Sequence, residues 1–322
     1  MKAIQFGSII VTYRCNSRCH MCNTWEFPSK REQEIGIDIY SKLPLMKTVN
    51  VTGGEPFLRE DLEDIVDVLK KKTKRLVISS NGYFTERILK LFGRHRDLGI
   101  RISLEGLPKA NDELRGIPDC FDKGIRTLIE LHDLGVRDIG FGITISDRNA
   151  KDMIELYHLA KIMDLEFATA AVHNSFYFHK YDNKFEKPEV AIEELKKLIA
   201  EMLKSQKIKE WFRAYFNYGL INYIKGNPRL LPCQMGCDSF FLDPHGQIFP
   251  CNVMEESLGN LTQMSFQDIW NGPAAERVRG LVRKCEKNCW MIGSVGQQMK
   301  KYISRPSRWI MKHKFLNKEF DL

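Results

Sequence analysis

An α/β fold is predicted for this chain: a partial (β/α)6 barrel followed by a small α+β unit built on a β-hairpin. Three observations carry the prediction. Short β-rich runs alternate with helical patterns up to about residue 172; the alternation then stops; and Gly/Pro punctuation introduces a hairpin pattern further on. The strand candidates lie at 3–13, 48–52, 75–80, 100–104, 138–145 and 165–172, with helical stretches at 62–72, 85–94, 124–134 and 150–163 between them. In the first of these helices Leu62, Ile65, Val66 and Leu69 recur at helical spacing, with charges on the other face. Six βα units imply a parallel sheet with right-handed crossovers. Six strands cannot close an eight-stranded barrel, so the barrel is open and its site is expected at the C-terminal strand ends.

Two long helices follow at 189–204 and 208–225, and Gly226, Asn227, Pro228 and Pro232 then interrupt the chain. The hairpin runs over 239–242, turns through Asp243-Pro244-His245-Gly246, and returns over 247–250. A helix over 266–283 and a cysteine pair complete the pattern. The predicted partition is 1–227, 228–290 and a basic C-terminal segment, 291–322. No internal repeat is present.

The chain has 322 residues, of which 43% are hydrophobic and 28% charged, enough apolar content for a substantial core and no sign of disorder. No apolar run approaches the roughly 18 residues of a membrane span, and the N-terminus has no cleavage-site pattern, so a cytoplasmic location is expected. Nine cysteines, an odd number in a large unsecreted chain, favour metal or redox chemistry over a disulfide framework. The net charge of +8 is concentrated in 291–322, where seven Lys/Arg face two acids. The rest is nearly balanced, and nucleic acid is not an expected partner. The basic segment, interleaved with Tyr302, Trp309, Ile310 and Phe315, is expected either to touch a membrane or other anionic surface or to pack as a terminal helix with its lysines in water.

The strongest chemical signal is Cys15-Asn-Ser-Arg-Cys19-His-Met-Cys22 directly after the first strand. Three thiolates in one tight loop are too few for a closed tetrahedral metal site. They can hold three irons of a 4Fe–4S cluster and leave the fourth open to a small molecule. A zinc ion with His20 as fourth ligand is the alternative. The second signal is Gly53-Gly54-Glu55-Pro56 after the second strand, where paired glycines permit close approach of the backbone to a ligand, and exposed carbonyls with Glu55 suit an ammonium group.

At these residues the chain resembles the radical S-adenosylmethionine (SAM) enzymes. The resemblance implies that Cys15, Cys19 and Cys22 bind a 4Fe–4S cluster whose open iron is chelated by SAM. Reductive cleavage of SAM then yields a 5′-deoxyadenosyl radical that abstracts hydrogen from substrate, with an electron donor such as ferredoxin or flavodoxin. Met21 departs from the aromatic residue usual before the last cysteine. By the same resemblance Gly53, Gly54 and Glu55 receive the SAM amino group, Asn81 belongs to the turn after strand three, Ser103 and Glu105 lie near the ribose, and Arg115 near the carboxylate. Glu105 stands where an aspartate is usual.

The third constellation, Cys233, Cys237, Cys251, Cys285 and Cys289, resembles the twitch domain, a short form of SPASM, making the small α+β unit an iron–sulfur cluster domain. The resemblance assigns one auxiliary cluster, expected to be 4Fe–4S, to Cys233, Cys251, Cys285 and Cys289, leaving Cys237 spare; a zinc ribbon is the alternative. Cys120 reads as a buried thiol, although it and Cys237 are both candidate hydrogen donors to a substrate radical.

A cluster with four cysteine ligands fits electron relay and hence dehydrogenation, a step that needs a base. Related sulfatase-maturing enzymes use an aspartate after the hairpin cysteine; here that residue is Asn252. Glu105, Asp147 and His173 are the remaining candidates. Redox-neutral epimerisation or rearrangement, and modification of a ribosomal peptide, stay open. Because residues 1–13 run straight into the first strand, with no obvious leader-peptide-binding domain, a small molecule or sugar is the expected substrate, with a peptide as the alternative. A non-catalytic Zn or Fe–S binding protein is the remaining reading.

Overall fold

The computed structural model describes residues 4–316, so Ala3 at the predicted start of the first strand, and Lys318, Glu319 and Asp321 of the basic segment, lie outside the described residues. Six parallel strands form the barrel: β1 (Ile4–Ile10), β2 (Met46–Thr52), β3 (Thr73–Ser80), β4 (Gly99–Ser103), β5 (Asp138–Ile145) and β6 (Glu166–Ala171). They are ordered sequentially from β6 to β1, and the sheet does not close. Outside it lie α1 (Ile37–Ser41), α2 (Leu62–Lys70), α3 (Thr85–Arg94), α4 (Pro108–Arg115), α5 (Cys120–Asp133) and α6 (Met153–Ile162). Each of α2, α3 and α5 buries one apolar stripe against the sheet; in α2 it is Leu62, Ile65, Val66 and Leu69, the residues whose spacing predicts the helix.

After β6 come α7 (Pro188–Lys204) and α8 (Ile208–Ile224), packed against each other. Thr169 of β6 donates to Asn217 of α8 at 2.8 Å, joining the last barrel strand to this helix pair. The hairpin is β7 (Ser239–Leu242) and β8 (Gln247–Phe249), extended by a two-residue strand, β9 (Gly259–Asn260). β7 pairs parallel with β1, Gly7 opposite Phe240, so one sheet runs from β6 through β1 to β9. Sequence pattern shows the hairpin but not this pairing, because nothing local in 239–242 distinguishes a free edge from a strand that adds to β1.

The helix predicted over 266–283 is two helices, α9 (Phe266–Asn271) and α10 (Pro273–Arg283). Pro273 has no amide hydrogen to continue a helical ladder, and it starts the second helix instead. In the basic segment α11 (Ile292–Lys301) buries Val295 and Met299, and α12 (Ser304–Ile310) buries Trp309 beside Tyr218, ring centroids 5.0 Å apart. Lys300, Lys301, Arg305, Arg308 and Lys312 are exposed, whereas Lys314 folds back onto the carbonyls of Leu203 and Ser205. Terminal helices packed on the body, with most of their cations in water, describe this segment. Among the described residues no helix is long and apolar enough to cross a membrane.

Candidate active site

β1 delivers the chain to the C-terminal rim of the sheet, and the cysteine loop follows at once. Backbone bonds tie this loop to its neighbours: Arg18 N–H donates to Arg115 O at 3.0 Å, His20 N–H to Leu114 O at 2.9 Å, and Asn23 N–H to Phe178 O at 2.8 Å. Cys15, Cys19 and Cys22 all line one cavity of about 470 Å³. His20 is exposed, on the solvent side of the loop, and does not line that cavity. Met21 is buried with Leu114 and Val172, so an apolar side chain packs where the family usually has an aromatic one. Burial pushes the Cys15 thiol up to about 11 and that of Cys19 to about 12, with Arg115 opposing both. Loading a metal cluster here must therefore displace protons.

The glycine pair after β2 has a second use besides leaving backbone open to the cavity. A Cβ on Gly53 would meet the Thr12 carbonyl, and one on Gly54 would run into the Arg14 carbonyl. The pair thus lets this loop lie flat against the cysteine loop, where Gly54 N–H donates to Thr12 O and Glu55 N–H to Arg14 O, both at 2.8 Å. Gly53 and Gly54 line the cavity; Glu55 does not. Glu55 is wholly buried and accepts from Phe57 N (3.1 Å), Ser80 Oγ (2.9 Å) and Asn81 N (2.8 Å). It locks the end of β2 to the end of β3. Asn81, which lines the cavity, carries the lock onward: its amide donates to Asn16 Oδ1 at 2.8 Å and Ser17 Oγ at 3.1 Å in the cysteine loop.

Ser103, Glu105 and Arg115 line the cavity as well. Glu105 is 3% exposed, accepts from Thr144 N at 2.6 Å, and pairs with Arg115 Nη1 at 3.4 Å. Its carboxylate thus reaches both β5 and α4. Burial opposes the charge on Arg115, but Cys19 and Glu105 beside it favour the cation and raise its pKa. Arg115 Nε is buried with no partner among the described residues. An unspent guanidinium N–H in a cavity suits a carboxylate ligand.

The same cavity is also lined by Cys233, Cys251, Cys285 and Cys289, together with Arg229, Lys287 and Asn252. Long-range anchors position them. Trp290, next to Cys289, donates to Phe216 O at 2.8 Å and fills the space left by Gly219 of α8, where a Cβ would enter the indole ring. Arg279 of α10 donates to Gly236 O at 2.8 Å and Trp270 O at 2.7 Å, holding the segment between Cys233 and β7. Cys237 does not line the cavity; it sits toward Arg279 and Arg283. Cys120 is fully buried under Asn81 and does not line it either.

The base candidates separate. Asp147 lies off the cavity and accepts from Glu186 N at 2.5 Å and Lys187 N at 3.1 Å, closing the turn into α7. His173 lines the cavity, with Nδ1 3.3 Å from Ala171 O and Nε2 3.2 Å from the amide nitrogen of Asn252, the neighbour of Cys251. Burial lowers its pKa and favours the neutral ring. Sequence reasoning passed over Tyr177, Phe178, Arg229 and the 291–294 segment, all of which line the cavity. Tyr177 donates from its hydroxyl to Gly53 O at 2.5 Å. The run Phe176-Tyr177-Phe178 was the available signal, since three aromatics just past the last barrel strand need somewhere dry to go.

Among the described residues no three His, Cys, Asp or Glu side chains are close enough together to hold one metal ion. The residues fit larger groups: two sets of thiols lining one cavity, glycine backbone packed against the loop of one set, and an unspent buried guanidinium. Comparison with known proteins agrees. Residues 9–160 match the family model of the radical SAM superfamily, and residues 233–290 match that of an iron–sulfur cluster-binding domain. The chain belongs to the radical SAM superfamily, as an enzyme with a SPASM/twitch-type domain at its C-terminal side, and these two domains imply 4Fe–4S clusters and SAM as its cofactors. Among curated relatives, the Fe-coproporphyrin III synthase of Methanosarcina barkeri is 28% identical over 158 residues, covering 46% of this chain and 39% of its own. The antilisterial bacteriocin subtilosin biosynthesis protein of Bacillus subtilis is 26% identical over 282 residues, 83% of this chain and 60% of its own. The chain thus spans less than two thirds of either relative. Streptococcus suis SuiB bound to S-adenosylmethionine shares the fold, with a TM-score of 0.67 at 15% identity, over 89% of this chain and 73% of that one.

Proposed function

We propose that this enzyme removes hydrogen from a peptide substrate in a net two-electron oxidation, using the two cysteine groups that line this cavity for two different tasks. The observation that carries the reading is that both cysteine groups line the same cavity. In this reading Cys15, Cys19 and Cys22 hold the SAM-binding cluster; Gly53, Gly54, Asn81, Ser103, Glu105 and Arg115 surround SAM, with Glu55 bracing the loops from behind. Cys233, Cys251, Cys285 and Cys289 hold the auxiliary cluster. When bound, the first cluster and SAM supply the hydrogen-abstracting radical, and the auxiliary cluster supplies a site for the electron left behind.

Oxidation is favoured over a redox-neutral outcome because the two thiols able to return a hydrogen atom, Cys120 and Cys237, both lie off the cavity. His173 is the proposed acceptor of the departing proton, being a neutral imidazole in the cavity next to Asn252, the residue that cannot itself take one. A peptide is favoured over a sugar by two relatives, one named for the biosynthesis of the bacteriocin subtilosin, the other SuiB, solved with its precursor peptide SuiA. A ferredoxin or flavodoxin is the proposed electron donor.

The test is anaerobic turnover of the reconstituted enzyme with SAM, reductant and peptides encoded beside its gene. The expected product is lighter than the substrate by two hydrogens, with 5′-deoxyadenosine formed in step. A product of unchanged mass that takes up solvent deuterium would overturn the oxidation in favour of epimerisation.

A further inference from the structure

Arg229 is a cation that neither the motifs nor the proposed reaction uses. It lies in the irregular stretch after α8, lines the cavity, and is held on three sides. Its Nη1 donates to the carbonyl of Cys289, its Nε donates to Leu231 O at 3.1 Å, and its guanidinium carbon lies 5.9 Å from the centre of the Trp290 ring. Arg305 of α12 donates to the neighbouring Leu230 O at 2.6 Å, so the packed C-terminal helix braces the same stretch. One group on this clamped guanidinium is unspent: Nη2 is buried and has no partner among the described residues. A buried N–H without an acceptor is costly, more so when it belongs to a charged group, and such a cost persists where an acceptor arrives with a ligand.

We infer that Arg229 sets the reduction potential of the auxiliary cluster, its fixed positive charge and free N–H stabilising the reduced, more negative state. The inference needs the cluster at Cys233, Cys251, Cys285 and Cys289 but neither the substrate nor the reaction subtype. Hydrogen bonds to cluster sulfurs and nearby charge are among the levers by which proteins tune iron–sulfur potentials. Lys287 also lines the cavity, but it is exposed and its Nζ is directed to Val253 O at 3.3 Å. Water screens its charge, so its effect on the cluster is the smaller of the two.

Arg229→Gln, Arg229→Lys and Lys287→Met, each reconstituted in the full chain, are compared with the parent by redox titration followed by electron paramagnetic resonance, with no substrate present. Arg229→Gln is expected to move the auxiliary midpoint to a more negative potential and leave that of the SAM-binding cluster in place. Arg229→Lys, which keeps the charge but not the planar fork, should move it less, and Lys287→Met least. If Arg229→Gln loads less than full iron, Arg229→Lys is the deciding variant. A parental auxiliary midpoint in a fully loaded Arg229 variant overturns the inference, as does failure of both Arg229 variants to load, which would make the residue structural. Because no turnover is measured, failure of the proposed oxidation leaves this result standing.

Discussion

The two cysteine regions are built in opposite ways. Cys15, Cys19 and Cys22 lie in one short loop whose backbone is bonded to the ends of β2, α4 and the segment after β6, and whose Asn16 and Ser17 side chains are gripped by Asn81. Cys233, Cys251 and the Cys285/Cys289 pair come from three separate stretches of chain, and largely side chains anchor them: Arg279, Trp290 and Arg229. Cys285 is exposed, whereas none of the first three is. A contiguous loop stitched by main-chain bonds to several neighbouring segments does not depend on any one of them for its shape. A site assembled from distant segments depends on a few packed anchors, and one lost anchor can scatter it.

The sharpest break of this comparison is the first region itself. Replacing Cys15, Cys19 and Cys22 together with alanine is expected to abolish formation of 5′-deoxyadenosine and to lower iron by about four atoms per chain, one cubane. The auxiliary signal should persist in electron paramagnetic resonance. Residual 5′-deoxyadenosine in this variant would refute the assignment of the triplet.

Gly54→Ala comes next. Its Cβ would strike the main chain at Arg14, which cannot swing aside as a side chain can. Destabilisation of about 3 kcal/mol, toward the upper end for overpacking, should appear in thermal or denaturant unfolding, together with loss of SAM cleavage. Parental SAM cleavage in this variant would show that the two loops need not lie flat together.

Gly219→Ala tests the other region through its anchor. The added methyl must displace the Trp290 indole and with it Cys289. A cost of about 1–3 kcal/mol is expected, with the auxiliary signal weakened and SAM cleavage kept. If the auxiliary signal is unchanged and SAM cleavage falls instead, the two regions are not independent as described.

The smallest effect belongs to Cys237→Ala. With the thiol off the cavity, the auxiliary signal and iron content should match the parent. Loss of the signal here, with retention in Cys289→Ala, would exchange the two residues in the proposed ligand set.

Periodicity along the chain was enough to determine the barrel. Apolar residues at helical spacing in 62–70 and alternation in 138–145 report burial on one face, which a local pattern can express, and each βα unit repeats that pattern. The cysteine triplet was legible for the same reason: its three thiols are neighbours in sequence as well as in space. Tertiary structure alone decided the rest. The parallel pairing of β7 with β1, the use of Gly53 and Gly54 to seat one loop on another, and the burial of Glu55 behind the site all depend on segments far apart in the chain. So do the exclusion of Asp147, Cys120 and Cys237 from the cavity and the capture of Arg229 by Cys289. A residue type states what chemistry a side chain can do, but which cavity it faces is set by the packing of elements that its own neighbourhood does not encode.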